Sequence, residues 1–411
     1  MLLRLILVAL LFAASAAAQT SELFSQVPQI LEDLSAITGW KVKRSVPSEL
    51  LTKEKFAQIA EQGVIEAERD KDTRATELTL KMFGLVPWDF NLARESADLI
   101  TEQAAAFYDI RKKRLFILES SASSSEQRVA LAHELAHALA DQQYDLRKFM
   151  SATKNDDAIT ARQSVVEGQA SWLSWAYMAK QAGGRAEVPR RLLDELSNVG
   201  ATGEDFPVFS QTPLYMRESL TFPYTEGMRF QDALYRKLGA PAFDRVFRDA
   251  PLSTQEILHP DDYADGLVPT HPDLPDLKIL LGKDSRQVRS LTGGDVGEFD
   301  YSAILRQHTG RDQDSDDQAR KTATHWRGGT FGLYEYKKTQ KPLLVHTSEW
   351  DSPEAAREFF RLYVETLRHK WKRMDVAQSS ETEISGSGDP GDFLIRIHGV
   401  YVECIEGMRV K

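Results

Sequence analysis

Along this chain of 411 residues the spacing of hydrophobic and polar positions changes period several times. An unbroken apolar run occupies 5–14, behind Arg4 and ahead of Ala16, Ala17 and Ala18. From 19 to about 95 the apolar spacing is helical, with amphipathic runs at 49–62 and 75–83, until Leu85-Val86-Pro87-Trp88 interrupts it. Two short apolar runs at 104–108 and 115–118 predict strands joined by the basic turn Arg111-Lys112-Lys113-Arg114, a solvated tip. Ser123 and Glu126 form a capping box ahead of a helix that neither Gly nor Pro interrupts before Gln143. A second, strongly apolar helical run, SVVEGQASWLSWAYMA, starts at Ser164.

Gly200, Gly203 and Pro207 then mark a loop. Phe222-Pro223-Tyr224 leads into a helix over 225–238 that Gly239 stops. Ser253 and Glu256 make another capping box on a turn ending at His259-Pro260. The Asp- and Pro-rich stretch 261–285 reads as a linker, with His271 exposed in it. Beyond it, strands at 330–336 and 343–347 precede a helix capped by Ser352 with Pro353 at its first position. Ala356, Phe359, Tyr363 and Leu367 form its apolar stripe. A hairpin of 393–397 and 400–405 turns at His398-Gly399. The predicted class is α+β: a mostly helical region with a small sheet, then a small α+β domain with one helix over an antiparallel sheet. The divisions are 1–18, 19–95, 96–260, 261–285 and 286–411. The second of these reads as the first layer of the following domain, because no processing linker separates them.

The opening run is short and early, with a positive start and an A-x-A end, the pattern of a signal peptide cleaved after Ala18. The mature chain is then secreted or periplasmic, with no stable membrane insertion. Cys404 is the only cysteine, so no intrachain disulfide supports the fold. A formal charge of −10 and a pI near 5.5 argue against nucleic acid as a partner.

The chemistry concentrates at His133-Glu134-Leu135-Ala136-His137. On a helix, residues four apart stand on one face, so His133 and His137 aim two imidazoles at one point where Zn2+ can sit. Glu134 is one step round, placed to reach a water instead of the metal. Glu167 is the best third ligand: a lone carboxylate opening an apolar helix is costly unless paired or metal-bound. A fourth protein ligand is not evident, which leaves a position open, as in catalytic zinc sites.

An H-E-x-x-H motif followed on a later helix by Glu167-Gly168-Gln169-Ala170 resembles the gluzincin class of zinc metallopeptidases. More narrowly, the chain is similar to a group of secreted bacterial zincins through AAAFYDIRKKRLFIL, LAHELAHALADQQYDL, VVEGQAS, LTFPYTEGMRF and PLSTQEILHP. The resemblance implies a zincin-like catalytic domain over 96–260, with His133, His137 and Glu167 holding zinc and Glu134 as general base. Many gluzincins carry Asp four residues after the glutamate ligand; this chain has Ser171, and Asp141 is a candidate substitute for orienting a histidine. Tyr224 and His259, at helix ends within the covered segments, are candidates for stabilising an oxyanion. Their structural alternatives are a fixed corner for Tyr224 and a cap for His259.

The expected activity is zinc-dependent hydrolysis of peptide bonds in a peptide or protein substrate, with the hairpin edge able to pair with it. The alternatives are a catalytically silent, zinc-stabilised exported binding or chaperone-like protein of the same fold, and a cell-wall amidase with the same metal chemistry.

Overall fold

The computed structural model describes residues 17–103, 106–118, 124–198, 206–309 and 312–409. The capping box at Ser123 and the whole apolar opening run lie outside them. In α1 (Ala17–Thr38), Val27, Ile30, Leu31 and Leu34 repeat at helical spacing and are buried. β1 (Ser48–Leu51) follows, then α2 (Lys53–Arg69), α3 (Lys71–Phe83) and α4 (Leu92–Gln103). β2 (Ala106–Asp109) and β3 (Arg114–Leu118) complete a sheet of order β1-β3-β2, in which β1 runs parallel and β2 antiparallel to β3. The amphipathic helix expected over 49–62 therefore starts late. Residues 48–51 pair with β3, and Leu51 packs with Phe56, Phe116 and Leu118. Thr52 then caps α2, accepting the Lys55 N–H at 3.2 Å. Tertiary pairing has overridden the local period.

The centre of the helical layer is α5 (Ser124–Tyr144), followed by the short α6 (Leu146–Ser151) and by α7 (Asp156–Gln181). Every residue from Val129 to Gln142 is buried, so α5 runs through the core instead of lying on it. After α8 (Arg190–Asn198) and α9 (Pro207–Gln211) comes α10 (Leu214–Leu238). It begins well before the predicted 225 and carries Pro223 inside it. Burial of Met216 and Phe222 extends the helix N-terminally past the proline. Gly168 of α7 faces Gly227 of α10 so closely that a Cβ on either residue would collide with the other helix's backbone. Buried polar contacts set the rotation of the pair: the Gln169 side chain donates to Gln231 at 3.3 Å, and the Trp172 indole to Asp232 at 3.0 Å.

Four short helices follow: α11 (Pro241–Arg248), α12 (Thr254–Leu258), α13 (Pro260–Asp265) and α14 (Leu277–Leu281). The Ser253–Glu256 capping box is formed in both directions. The stretch 261–285 carries α13 and α14, and Leu274, Leu277, Leu280 and Leu281 pack on one face of the C-terminal sheet. That sheet contains β4 (Val288–Asp295), β5 (Trp326–Tyr336), β6 (Pro342–Trp350), β7 (Met374–Ser379), β8 (Glu383–Gly388), β9 (Gly391–His398) and β10 (Tyr401–Met408). It is antiparallel throughout, in the order β4-β5-β6-β10-β9-β8-β7. The other face packs against α15 (Glu298–Thr309), α16 (Gln313–Ala323) and α17 (Pro353–Lys370). The α+β class holds, with seven strands and three helices where the hydrophobic pattern marked four strands and one helix.

Leu80, Phe83, Leu85 and Val86, around the end of α3, belong to the core of this second layer. A buried polar chain fastens them there. Lys370 Nζ donates to Glu406 at 2.6 Å and to the Met82 carbonyl at 2.9 Å. Tyr363 donates to Glu406 at 2.6 Å, and His346 bridges Tyr363 and Tyr301 at 2.9 and 3.2 Å. Burial pushes the His346 imidazole down to about 3, so it is neutral and serves as donor on one side and acceptor on the other. Gly84, at φ +77°, ends α3 in the left-handed region against the Lys370 stem, where a Cβ does not fit.

The close approach of α7 and α10 makes Gly168 the most exacting position near the centre. Gly168→Ala is expected to destabilise the protein by about 2–3 kcal/mol through overpacking, measured by denaturant unfolding. A change within 0.5 kcal/mol would show that the helices separate freely.

Candidate metal centre

Two helices build the site. The i, i+4 spacing on α5 brings His133 and His137 Nε2 to 3.0 Å from each other. From α7, Glu167 Oε2 lies 3.2 Å from His133 Nε2 and 3.3 Å from His137 Nε2. Among the described residues this is the one group of three His, Cys, Asp or Glu side chains close enough to share a metal ion. A tetrahedral ion with bonds of about 2.0–2.1 Å separates its ligands by about 3.3–3.4 Å, so the three atoms already stand near the edges of such a tetrahedron. The donor set of two imidazoles and a carboxylate suits zinc.

The charge states agree with that use. Burial lowers the His133 pKa, outweighing the hydrogen bond to Glu167 and aided by His137, so the ring is neutral with a lone pair to give. Burial presses Glu167 upward, but His137 and His133 more than offset it, and its carboxyl sits below the ordinary range. All three are at most 5% exposed. His137 Nδ1 is buried without a hydrogen-bond partner among the described residues.

Glu134 is fully buried beside the group. Its Oε2 accepts the Tyr108 backbone N–H at 2.6 Å, and its Oε1 has no hydrogen-bond partner among the described residues. Burial and then the Glu167 charge raise its pKa well above that of an ordinary glutamate, only partly opposed by Tyr108. Tyr108 sits on β2, the edge of the small sheet, with its N–H turned away from β3 and towards the site.

Of the two oxyanion candidates, Tyr224 lies at the site: its ring stacks on His133 with centroids 5.9 Å apart. His259 joins the end of α12 to α15, its Nε2 lying 3.0 Å from both Glu298 oxygens. None of its polar contacts is with the three clustered side chains. Asp141 does not orient a histidine. Its carboxylate accepts from Tyr108 Oη at 2.9 Å, Lys113 Nζ at 2.7 Å, the Leu146 N–H at 3.0 Å and Arg44 at 3.4 Å, which fills its acceptor positions. The basic turn is thus more than a solvated tip, since Lys113 holds it to α5. Tyr108 and Lys113 were not legible as site supports, because their partners lie 26 to 33 positions away on another element.

Residues 94–195, which contain His133, His137 and Glu167, match the peptidase family M78 model, described as the IrrE N-terminal-like domain. The helical half thus carries a metallopeptidase-like domain. Residues 286–411 match a domain of unknown function, DUF8575. No curated protein and no solved structure matches the chain. Among the described residues no helix is long and apolar enough to cross a membrane.

If Asp141 ties the hairpin to α5 and has no role in ligation, Asp141→Ala costs about 1–3 kcal/mol of stability, the penalty for stranding buried partners. Metal content of the folded fraction stays at the wild-type ratio. Metal loss at unchanged stability would reverse that assignment.

Proposed function

We propose that this chain is a zinc-dependent peptidase of the gluzincin type, exported through its N-terminal apolar segment and acting on peptides or proteins. The reading rests on one observation: three ligand atoms converge within 4.8 Å, and the glutamate next to the first ligand keeps one buried oxygen without a partner. His133, His137 and Glu167 would hold zinc. When bound, zinc acts as a Lewis acid, acidifying water and polarising a carbonyl.

The remaining roles belong to the chain's own residues. Tyr108 fixes Glu134 through Oε2, so Oε1 is the atom that takes a proton from the attacking water. The raised affinity of Glu134 for a proton suits that step, and the same carboxyl then delivers the proton to the leaving amine. The outward backbone of β2 offers an extended substrate a strand to pair with, one residue step from the base. Tyr224 Oη, on the ring beside His133, is the proposed donor to the developing oxyanion. His259 is left to its pairing with Glu298.

Glu134→Gln keeps the shape and hydrogen-bonding length of the side chain but not its basicity. The purified variant is expected to bind one zinc per chain, as the wild type does, while casein hydrolysis falls at least about a hundredfold. Glu167→Ala loses the metal, and a chelator stops wild-type cleavage. Bound zinc without cleavage in the wild type would instead favour a silent, zinc-stabilised binding protein.

A further inference from the structure

A cavity of about 250 Å3 lies where the two halves meet, enclosed by α3, α4, α7, α10, β4 and α15. That is far more than the roughly 10–15 Å3 that admits one water. Leu80, Phe83, Met216, Phe299 and Phe331 give it apolar walls. Asp156, Asp295 and Asp300 also line it, and among the described residues no lysine, arginine or histidine does. Asp295 has the His271 ring at 2.8 Å on its outer side. Asp300 is held only by neutral donors, the Tyr215 hydroxyl at 3.1 Å and the Gly297 N–H at 3.0 Å. Burial and the Asp156 charge push its carboxyl up to about 6, against those two hydrogen bonds. Ser96, 4% exposed, adds a hydroxyl with no hydrogen-bond partner to the same lining.

Long apolar walls with carboxylates and a spare hydroxyl, and no internal cation, complement an alkyl stem ending in a positive charge. The cavity's position says where such a group would come from. Gln163 and Thr160 line it from α7, four and seven residues before Glu167, and so on the ligand's own helix face. They stand roughly 6 and 10 Å down the axis from Glu167 at 1.5 Å per residue. We propose that this cavity binds an alkylammonium or alkylguanidinium group, supplied by a lysine or arginine side chain of the peptide presented to the metal centre. The choice of side chain rests on the peptidase reading; binding of the cation does not.

The test therefore has two arms, both on the full chain with zinc bound. Calorimetric titration with pentylamine, pentylguanidine and the neutral isostere 1-pentanol reads the cavity directly. The amine and guanidine are expected to bind at least about tenfold more tightly than the alcohol, and Asp300→Asn to remove most of that difference. Asp156→Asn, at the solvent end of α7, gives the same readout should the Asp300 variant not fold. Equal binding of the alcohol, or binding of none of the three, overturns the proposal. In the second arm, peptides carrying Lys, Arg or norleucine within three positions of the cut are compared by kcat/KM. Preference for the basic peptides, reduced by Asp300→Asn, supports the side-chain source. Amine binding with no such preference overturns that source and leaves a free alkylamine as the ligand. Amine binding without cleavage of any peptide sinks the peptidase reading alone.

Discussion

Everything at the centre of this molecule depends on placing two imidazoles and a carboxylate at about 3 Å from one another inside an apolar core. Left to themselves, such groups are expensive to bury. The chain meets that cost by making the surroundings rigid. α5 is buried on all sides from Val129 to Gln142 and cannot rotate without displacing packed Leu and Ala side chains. α7 is fixed by the contact of Gly168 with Gly227 and by the hydrogen bonds of Gln169 and Trp172. Glu167 precedes Gly168 directly, so the residue that permits the closest helix approach also sets the height of the ligand. A glycine in mid-helix costs about 1 kcal/mol of propensity, and here the close packing repays it.

The same logic extends outward from Glu134. Its buried carboxyl is tethered by one backbone N–H, from Tyr108, and that strand is held by Asp141 through the Tyr108 hydroxyl and Lys113. Asp141 lies on α5, two turns from His133, so one helix carries His133, His137, Glu134 and the anchor of the strand that positions Glu134. Displacing the hairpin would therefore move Glu134's partner without moving the histidines. This separates the grouping of His133, His137 and Glu167, which belongs to α5 and α7, from the placement of Glu134, which belongs to α5 and β2.

Parts of this were legible in the sequence for definite reasons. His133 and His137 are a local pattern, since helical periodicity alone puts them together. Glu167 stood out because a carboxylate in SVVEGQASWLSW needs a partner, and Phe359, Tyr363 and Leu367 because their spacing repeats. What escaped was decided by contacts between distant segments. Residues 48–51 carry helical spacing, yet β3 recruits them as a strand. Pro223 read as a helix start, yet Phe222 and Met216 are buried on a helix that continues through it. Asp141 looked like a histidine orienter by its place on the helix face, but the lysine that claims it comes from a turn with no local sign of the contact. β4, β7 and β8 escaped because they are mostly exposed or half-buried, and their Gly- and Ser-rich or charged sequences lack alternation.

The junction between the halves follows from how α3 is shared. Its far end is sealed into the second core by Leu80 and Phe83 and locked by Lys370, which spans Glu406 and the Met82 carbonyl. Lys370 and Glu406 are almost wholly buried, and a buried pair of this kind seldom adds net stability over apolar side chains of the same size. Its effect is geometric: the lysine has one carboxylate and one helix-end carbonyl to satisfy, and only one placement of α3 satisfies both. That placement makes α3 a wall of the cavity that α7 also lines. The C-terminal layer thus sets one wall of the cavity that Thr160 and Gln163 line from the helix of Glu167.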